Sequence, residues 1–137
     1  MSKALERHHI AVVKEYSNVE NLYIYANELM QVIINLMKNS KDAFADKDEI
    51  EKYIKIKTFQ KDDSVYIEVE DNAGGIEEAI LTKIFEPYFS TKDECNGTGL
   101  GLYMSKSIIE NHFGGTISVT CVENRSIFTI KFPKEQI

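Results

Sequence analysis

Apolar residues recur along this chain with two different periods, and each period predicts a type of secondary structure. From Asn27 to Ala45 they return every three or four residues, which is typical of one face of an α-helix with Asn27 as its N-cap. Along Tyr53–Phe59 and Ser64–Asp71 they alternate with polar residues, as in half-buried strands. The polar QKDD segment between these two runs predicts a β-hairpin.

The remaining segments predict further strands and helices on either side of this hairpin. The other predicted strands are His9–Tyr16, Leu22–Ala26, Thr116–Glu123 and Ser126–Phe132, with a turn at Asn124 between the last two. The other predicted helices are Glu77–Ile84 and Gly99–His112. About three helices against one mixed, mostly antiparallel sheet predict an α/β (α+β) two-layer sandwich, formed as a single domain over residues 1–137.

The composition is that of a globular protein and disfavours a nucleic-acid partner. Hydrophobic residues make up 43% of the chain and charged residues 28%, so there is enough apolar surface for a core. The formal net charge is −6, whereas proteins that bind nucleic acid neutralise phosphates with Lys and Arg. Any polyphosphate ligand must therefore be held by a local site.

Neither a secretory signal nor a cysteine framework is visible. The opening MSKALERHHI lacks an apolar core, and the apolar run Leu29–Met37 is interrupted by Gln31 and Asn35. The two cysteines, Cys95 and Cys121, lack the spacing of a disulfide framework or a metal site, so we expect free thiols. These features predict a cytoplasmic domain without membrane contact, and they leave open whether a longer parent protein is attached to a membrane.

Two asparagines on the long predicted helix form a candidate metal site. Asn35 and Asn39 are four residues apart and share a helix face, which Asp42 extends. Oxygen ligands of this kind suit Mg²⁺, which takes few protein ligands and completes its shell with water and phosphates. A solvated helix face is the alternative, although Asn in mid-helix forgoes stability that Ala or Lys would provide.

Asp71 is a candidate for recognising a ligand. It shares the parity of Val65, Ile67 and Val69 along its strand, so its carboxylate is expected on the apolar side of the sheet. A buried carboxylate needs a donor, and the exocyclic amine of adenine is one. An aspartate that caps the turn into the following NAGG segment is the alternative from the residues alone.

Two glycine-rich segments suggest contacts to a base and to phosphates. Gly74 and Gly75 permit close backbone approach to a flat base, or mark an ordinary turn. In Gly97–Leu102, alternate glycines open a predicted helix, where backbone N–H groups suit phosphate. The spacing is neither that of a Walker loop nor that of a Rossmann turn, and a flexible hinge stays possible. Nearby, Thr91 and Lys92 offer a hydroxyl and a cation.

In chain order, ELMQVIINLMKNSKDA, DNAGGI, IFEPYFSTK and NGTGLGL resemble the asparagine, first glycine, phenylalanine and second glycine boxes of histidine-kinase catalytic domains. The resemblance covers nearly the whole chain and implies the Bergerat ATP-binding fold. It implies that Asn39 coordinates Mg²⁺ with support from Asn35, and that Asp71 receives the adenine amine. It further implies that Gly97–Gly101 cradle the triphosphate of ATP. Within that segment the implied ATP contacts include Thr98, Gly99, Leu100 and Gly101. Outside it they are Asp42, Gly75, Ile76, Thr91, Lys92 and Leu102. Ala73 departs mildly from the pattern, since many members carry glycine there.

The phosphoacceptor of such kinases, a histidine followed by an acidic residue on a helix, is not found in this sequence. His8 and His9 precede Ile10, and His112 lies near the end of a predicted helix. The expected partners are therefore a phosphoacceptor and dimerisation domain, which belongs to the same full-length protein or to a separate one, and then a response regulator. The fragment is expected to phosphorylate in trans, or not at all.

Related proteins with the same fold offer alternative functions. A stand-alone serine kinase resembling anti-sigma factors and an ATP-driven clamp usually carry Glu four residues before the metal asparagine, where it serves as a base. Here that position is Asn35, which cannot act as a base. Neutral imidazole needs less activation than a hydroxyl, so Asn35 favours histidine as the acceptor. A module that binds nucleotide only as a structural ligand is a further alternative.

Overall fold

The computed structural model describes residues 10–16, 26–44, 51–88 and 100–133, which form a five-stranded sheet with helices packed on one face. The strands are β1 (Ile10–Tyr16), β2 (Lys52–Lys61), β3 (Ser64–Asp71), β4 (Thr116–Val122) and β5 (Arg125–Pro133). The helices are α1 (Ala26–Ala43), α2 (Glu78–Leu81) and α3 (Gly101–Ser107), which continues as a π-helical turn, Ile108–His112. The predicted two-layer α/β sandwich is confirmed.

The order of the strands places the end of β3 in the middle of the sheet. The order is β1-β2-β3-β5-β4, in which β1 and β2 are parallel and all other neighbours are antiparallel. Across this sheet Asp71, the last residue of β3, lies between Ile54 on β2 and Ser126 on β5. The sheet is therefore mixed but mostly antiparallel, as the sequence predicts.

The core forms where the apolar stripe of α1 meets the inward-facing residues of the sheet. Val32 and Leu36 of α1 are fully buried, as are Ile54, Val69 and Phe128 of the strands. Burying one side chain of this size stabilises a fold by ~1.5–3 kcal/mol. Because strand side chains alternate between faces, the same register leaves the other face of the sheet to polar and aromatic residues.

Charge pairs and ring contacts stabilise that outer face. The Tyr53 hydroxyl donates to Glu70 Oε2 at 2.7 Å, and an Arg125 guanidinium nitrogen lies 3.7 Å from Glu70 Oε1. Phe59 and Tyr66, which are directly opposite in the β2–β3 register, stack with ring centroids 4.9 Å apart. Of the helices in the described part of the chain, none is both long and apolar enough to cross a lipid bilayer.

Several boundaries differ from those predicted. Helix α1 begins at Ala26, so Asn27 lies within its first turn and the prediction of Asn27 as the N-cap was wrong. Ala26 was also predicted to end a strand, and Leu22–Tyr25 lie outside the described residues. Alanine has the highest helix propensity, which favours its inclusion in α1.

The two later helices are also shorter than predicted. Helix α2 covers only Glu78–Leu81, after which turns stabilised by backbone bonds such as Lys83 N–H to Ile80 C=O (2.9 Å) replace the helix. Helix α3 begins at Gly101, and its last turn widens to a π-helix. A single π-helical turn of five residues is too short to give a distinct hydrophobic periodicity in the sequence.

Alanine at Gly115 should destabilise the fold. A Cβ there would collide with the backbone carbonyl oxygen of Lys131 and lie 3.3 Å from side-chain atoms of Ile109 and Phe132. We expect Gly115→Ala to lower the free energy of unfolding by about 1–3 kcal/mol. At Gly101 a Cβ meets nothing within 4 Å, so Gly101→Ala should be neutral or stabilising by up to ~1 kcal/mol. Urea denaturation of both variants measures these free energies of unfolding. Equal changes in the two variants would contradict the prediction.

Candidate functional site

The carboxyl group of Asp71 lies inside the protein, at the end of the central strand. Its residue is 1% exposed. Oδ1 accepts the backbone N–H of Ala73 at 3.1 Å, and Oδ2 accepts the Ser126 hydroxyl at 3.0 Å. The predicted burial is confirmed, and the bond to Ala73 is the turn contact considered as the alternative. The two interpretations are therefore compatible, since a carboxylate has about four lone-pair sites and can serve both the turn and a ligand.

Burial is the main influence on the ionisation of this group. Loss of water raises the pKa of the Asp71 carboxyl above its ordinary value, and the neighbouring donors Ser40, Ala73 and Ser126 lower it in part. Ser40 faces the carboxyl closely enough to affect its pKa, but its hydroxyl does not meet the geometry of a hydrogen bond. Within the described residues, the fully buried Ser40 hydroxyl is therefore without a hydrogen-bond partner.

The glycine segment that follows Asp71 lies against the tip of the β4–β5 hairpin. Gly74 and Gly75 have φ of 107° and 79°, a region in which a Cβ is strained. Gly74 N–H donates to Asn124 C=O at 2.9 Å, and the Ile76 backbone contacts the Cys121 thiol. We call residues 71–76 the glycine loop. Its contacts with the hairpin fix it beside the buried carboxyl group.

The asparagines of α1 lie half-buried, with Asn35 directed at α3. Asn35 Nδ2 donates to the hydroxyl of Ser105 at 3.3 Å, and Gln31 Nε2 donates to Asn35 Oδ1 at 3.3 Å. Ser105 is fully buried, so this contact joins the two helices. Asn39 is half-buried on the same helix. These side chains are thus less exposed than those of a solvated helix face.

Packing of α1 against the sheet brings the residue next to Asn39 to the buried carboxyl group. Asn39 and Ser40 are adjacent on α1, and Ser40 faces Asp71 on β3. Asp42 is half-buried on the same helix. The structure thus places Ser40, the residue that follows Asn39 on α1, against the strand aspartate across the core.

Only part of the predicted phosphate-binding segment is described. Leu100 and Leu102 are half-buried and Gly101 is exposed; Leu102 packs against the core, and the C=O of Leu100 accepts the N–H of Met104 at 2.8 Å. The other predicted residues lie outside the described part of the chain: Thr91, Lys92, Gly97, Thr98 and Gly99. Their proposed contacts with phosphate stay predictions.

Of the three histidines, His112 belongs to the described part of the chain. His8 and His9 lie outside the described part. His112 ends the π-helical turn, and its Nδ1 lies 2.7 Å from Glu28 Oε2 on α1. This position agrees with the structural role predicted for a residue at a helix end.

Sequence reasoning missed the hydroxyl and thiol groups around the site. Ser40, Ser105, Ser126 and Cys121 all contact or face predicted site residues, and three of them are buried. Only Ser40 could have been found, because it directly follows Asn39 on the helix. The others depend on strand register and helix packing, which the local pattern does not specify.

The donor set fits a nucleotide with a hard cation. Among the described residues no group of three or more His, Cys, Asp or Glu side chains could hold a metal ion by itself. Asn35 and Asn39 instead offer amide oxygens, which suit Mg²⁺ when phosphates and water supply most of its ligands. A buried acceptor and an unsatisfied hydroxyl beside a glycine loop suit a flat, polar-edged base.

Replacing Asp71 by Asn should change how stability depends on pH. Because burial raises the pKa of Asp71, the stability contributed by the protonated form is fully present below the unfolded pKa, about 3.9, and is lost as pH rises through the folded pKa. Asp71→Asn cannot ionise, so its stability should fall less as pH rises above ~4. Chemical denaturation across this range measures the difference, with the exposed turn variant Asp62→Asn as control. If the free energy of unfolding of Asp71→Asn varied with pH in parallel with that of the wild type, burial would not be raising the pKa of the Asp71 carboxyl.

Comparison with known proteins agrees with this geometry. The model of the family described as histidine kinase-, DNA gyrase B-, and HSP90-like ATPase matches residues 25–136. The two-component sensor PprA of Pseudomonas aeruginosa is 36% identical over 111 residues, which are 79% of this chain and 12% of PprA. Sporulation kinase A of Bacillus subtilis is 37% identical over 118 residues, which are 85% of this chain and 18% of that kinase. The chain thus spans a small part of the length of these relatives.

Solved structures show the same similarity in three dimensions. A nucleotide-free form of the catalytic domain of histidine kinase ThkA matches with a TM-score of 0.83 and 30% identity, covering 97% of this chain and 84% of that one. ThkA in complex with the response regulator TrrA matches with a TM-score of 0.78 and 27% identity, covering 98% of this chain and 37% of that one. The chain therefore belongs to the histidine kinase-, DNA gyrase B- and HSP90-like ATPases, and within them to the ATP-binding catalytic domains of sensor histidine kinases.

Proposed function

We propose that this domain, residues 1–137, binds Mg-ATP and transfers the γ-phosphoryl group to a histidine on a phosphoacceptor and dimerisation domain. The observation that carries the proposal is the buried Asp71 carboxyl, which lies beside an unsatisfied hydroxyl and a glycine loop. Burying an ionisable group or an unpaired hydroxyl lowers the stability of the fold. Groups of this kind are commonly found at functional sites.

Asp71 and Ser40 together favour adenine as the base. The carboxyl group can accept the exocyclic amine of adenine, and the Ser40 hydroxyl can bond a ring nitrogen directly or through water. Guanine has a carbonyl oxygen where adenine has that amine. In guanine, a hydrogen-bond acceptor would therefore face the carboxylate, which is also an acceptor, and the two would repel. Gly75 and Ile76 are proposed to contact the face of the base.

The asparagine face of α1 is proposed to hold the metal. Asn39 would coordinate Mg²⁺ with support from Asn35, and Asp42 lies on the same helix. When bound, Mg²⁺ neutralises charge on the phosphates and orients the γ-phosphoryl group. The hydrogen bond to Ser105 holds the amide of Asn35 in one orientation. In this proposal, that orientation helps to position the metal for phosphoryl transfer.

The phosphates are assigned to the segment before α3 and to the polar residues that precede it. Backbone N–H groups of Gly97, Thr98, Gly99, Leu100 and Gly101 are proposed to bind the triphosphate, with Leu102 packed behind them. Thr91 and Lys92 would add a hydroxyl and a cation. Preorganised donors of this type stabilise charge that develops during phosphoryl transfer.

Asn35 favours histidine over serine or water as the acceptor. The clamp and serine-kinase alternatives need a base near this position, whereas an amide held by Ser105 and Gln31 cannot remove a proton. Neutral imidazole has a free nucleophilic nitrogen near pH 7. The acceptor histidine would belong to another domain of the full-length protein or to a separate chain, and the phosphoryl group would pass on to a response regulator in the cytoplasm.

Loss of the Asp71 carboxyl should weaken ATP selectively. Wild-type protein should bind Mg-ATP more tightly than Mg-GTP, and Asp71→Ala should weaken ATP by ~1.5–3 kcal/mol, or about 10- to 150-fold. Glu70→Ala is the matched control, because Glu70 lies next to Asp71 but faces the outer side of the sheet. Isothermal titration calorimetry measures these affinities. Equal binding of ATP and GTP by the wild type would remove the basis for the adenine assignment.

Phosphoryl transfer in trans tests the proposed reaction itself. Alone, the domain should hydrolyse ATP very slowly, because Asn35 does not activate water. With a protein carrying the cognate acceptor helix it should form a phosphoramidate, which is acid-labile and alkali-stable. Asn39→Ala should abolish transfer and retain the fold, whereas Lys38→Ala, at an exposed position beside it, should retain activity.

Asn35→Glu should raise hydrolysis by adding a base at the position of Asn35. Rapid hydrolysis by the wild type without an acceptor, or an acid-stable phosphoserine product, would instead support one of the alternative functions.

A further inference from the structure

The tip of the β4–β5 hairpin contacts the glycine loop at three successive points. Ser126 donates to Asp71, the C=O of Asn124 accepts from Gly74, and the Cys121 thiol contacts Ile76. These contacts are spread over the whole loop, from its first to its last residue. The hairpin therefore supports the loop along its length.

Cys121 makes the contact at the far end of the loop. Its Sγ lies 3.3 Å from Ile76 N, from which it accepts, and 3.6 Å from Ile76 C=O, to which it donates. A single side chain thus pairs with both backbone polar groups of one loop residue. Ile76 is outside the strands, so its N–H and C=O have no ladder partner, and backbone groups in partly buried positions need one.

The loop needs this attachment because the two glycines in its middle permit many backbone conformations. Gly74 and Gly75 have positive φ and can reach conformations closed to other residues, so they do not by themselves fix the direction in which the chain leaves Asp71. A Cβ at Gly75 would lie 3.6 Å from the Glu123 carbonyl oxygen and 3.9 Å from the Cβ of Cys121, which shows how closely the hairpin backs the loop. After the glycines, Ile76 is anchored by a side chain of the hairpin, that of Cys121.

We propose that Cys121 is a positioning residue for the base: through its paired hydrogen bonds it holds Ile76 at a fixed place relative to the Asp71 carboxyl, and so determines selectivity for adenine. This inference rests on the proposed function, because it concerns the pocket assigned to adenine. Cys121 acts through Ile76 and does not itself need to touch the nucleotide.

Three substitutions at Cys121 separate its hydrogen bonds from its volume. Cys121→Ser keeps one donor and one acceptor, Cys121→Val fills the space without hydrogen bonds, and Cys121→Ala removes both. Val119→Ala is the matched control, because Val119 lies on the same strand and the same face, packs against the core, and takes no part in the three hydrogen-bonded contacts with the loop. Each variant is titrated with Mg-ATP and Mg-GTP, and its unfolding is measured without nucleotide.

We expect Cys121→Val and Cys121→Ala to weaken ATP about 3- to 10-fold, the range for one or two modest hydrogen bonds, with little change for GTP. Their ATP-to-GTP selectivity should therefore fall, and Cys121→Ser should recover most of it. Val119→Ala should lower the midpoint of unfolding without changing selectivity. This split is informative because a purely structural defect weakens both nucleotides by the same factor.

Selectivity of Cys121→Val and Cys121→Ala equal to that of the wild type, or equal losses for ATP and GTP, would overturn the role of Cys121. Either result leaves the adenine pocket intact, provided that the wild type prefers ATP. A wild type that binds neither nucleotide, or binds both equally, would instead overturn the proposed function, and with it this inference.

Discussion

The arrangement of the candidate site depends on the burial of one carboxyl group at the end of the central strand. Asp71 is enclosed by β5, by the turn after β3 and by Ser40 of α1, and the loss of water raises its pKa. Burying such a group costs free energy that only specific donors can offset. The strand order, the conformation of the glycine loop and the approach of α1 all serve to place donors around it.

The same constraint explains why the site draws on three parts of the chain. Helix α1 brings Asn39 and Ser40 side by side, so the residue proposed to hold the metal is directly linked to the one that faces Asp71. Helix α3 fixes Asn35 through Ser105, and the β4–β5 hairpin supports the glycine loop. Packing of the core therefore sets the position of α1 relative to Asp71 and the glycine loop.

Much of the fold could be predicted from the sequence because the pattern and the packing agree. The alternation along Ser64–Asp71 places Asp71 on the apolar face, and the helical spacing from Asn27 onwards places Leu36 and Phe44 in the core. Ser126 and Ser105 were not predicted, because their importance comes from strand register and from the contact between two helices. The π-helical turn also escaped prediction, since its five residues are too few to establish a spacing of apolar positions different from that of an α-helix.

The ionisation of Asp71 itself is the most direct test of whether the buried carboxyl group recognises the base. Carbon-13 NMR of its side-chain carboxyl, followed against pH, reports the pKa with and without Mg-ATP. In the free protein the pKa should lie above the ordinary value, and Mg-ATP should lower it, because the adenine amine donates to the ionised form, while Mg-GTP should not. A titration of Asp71 that ATP leaves unchanged would show that the buried carboxyl does not recognise the base.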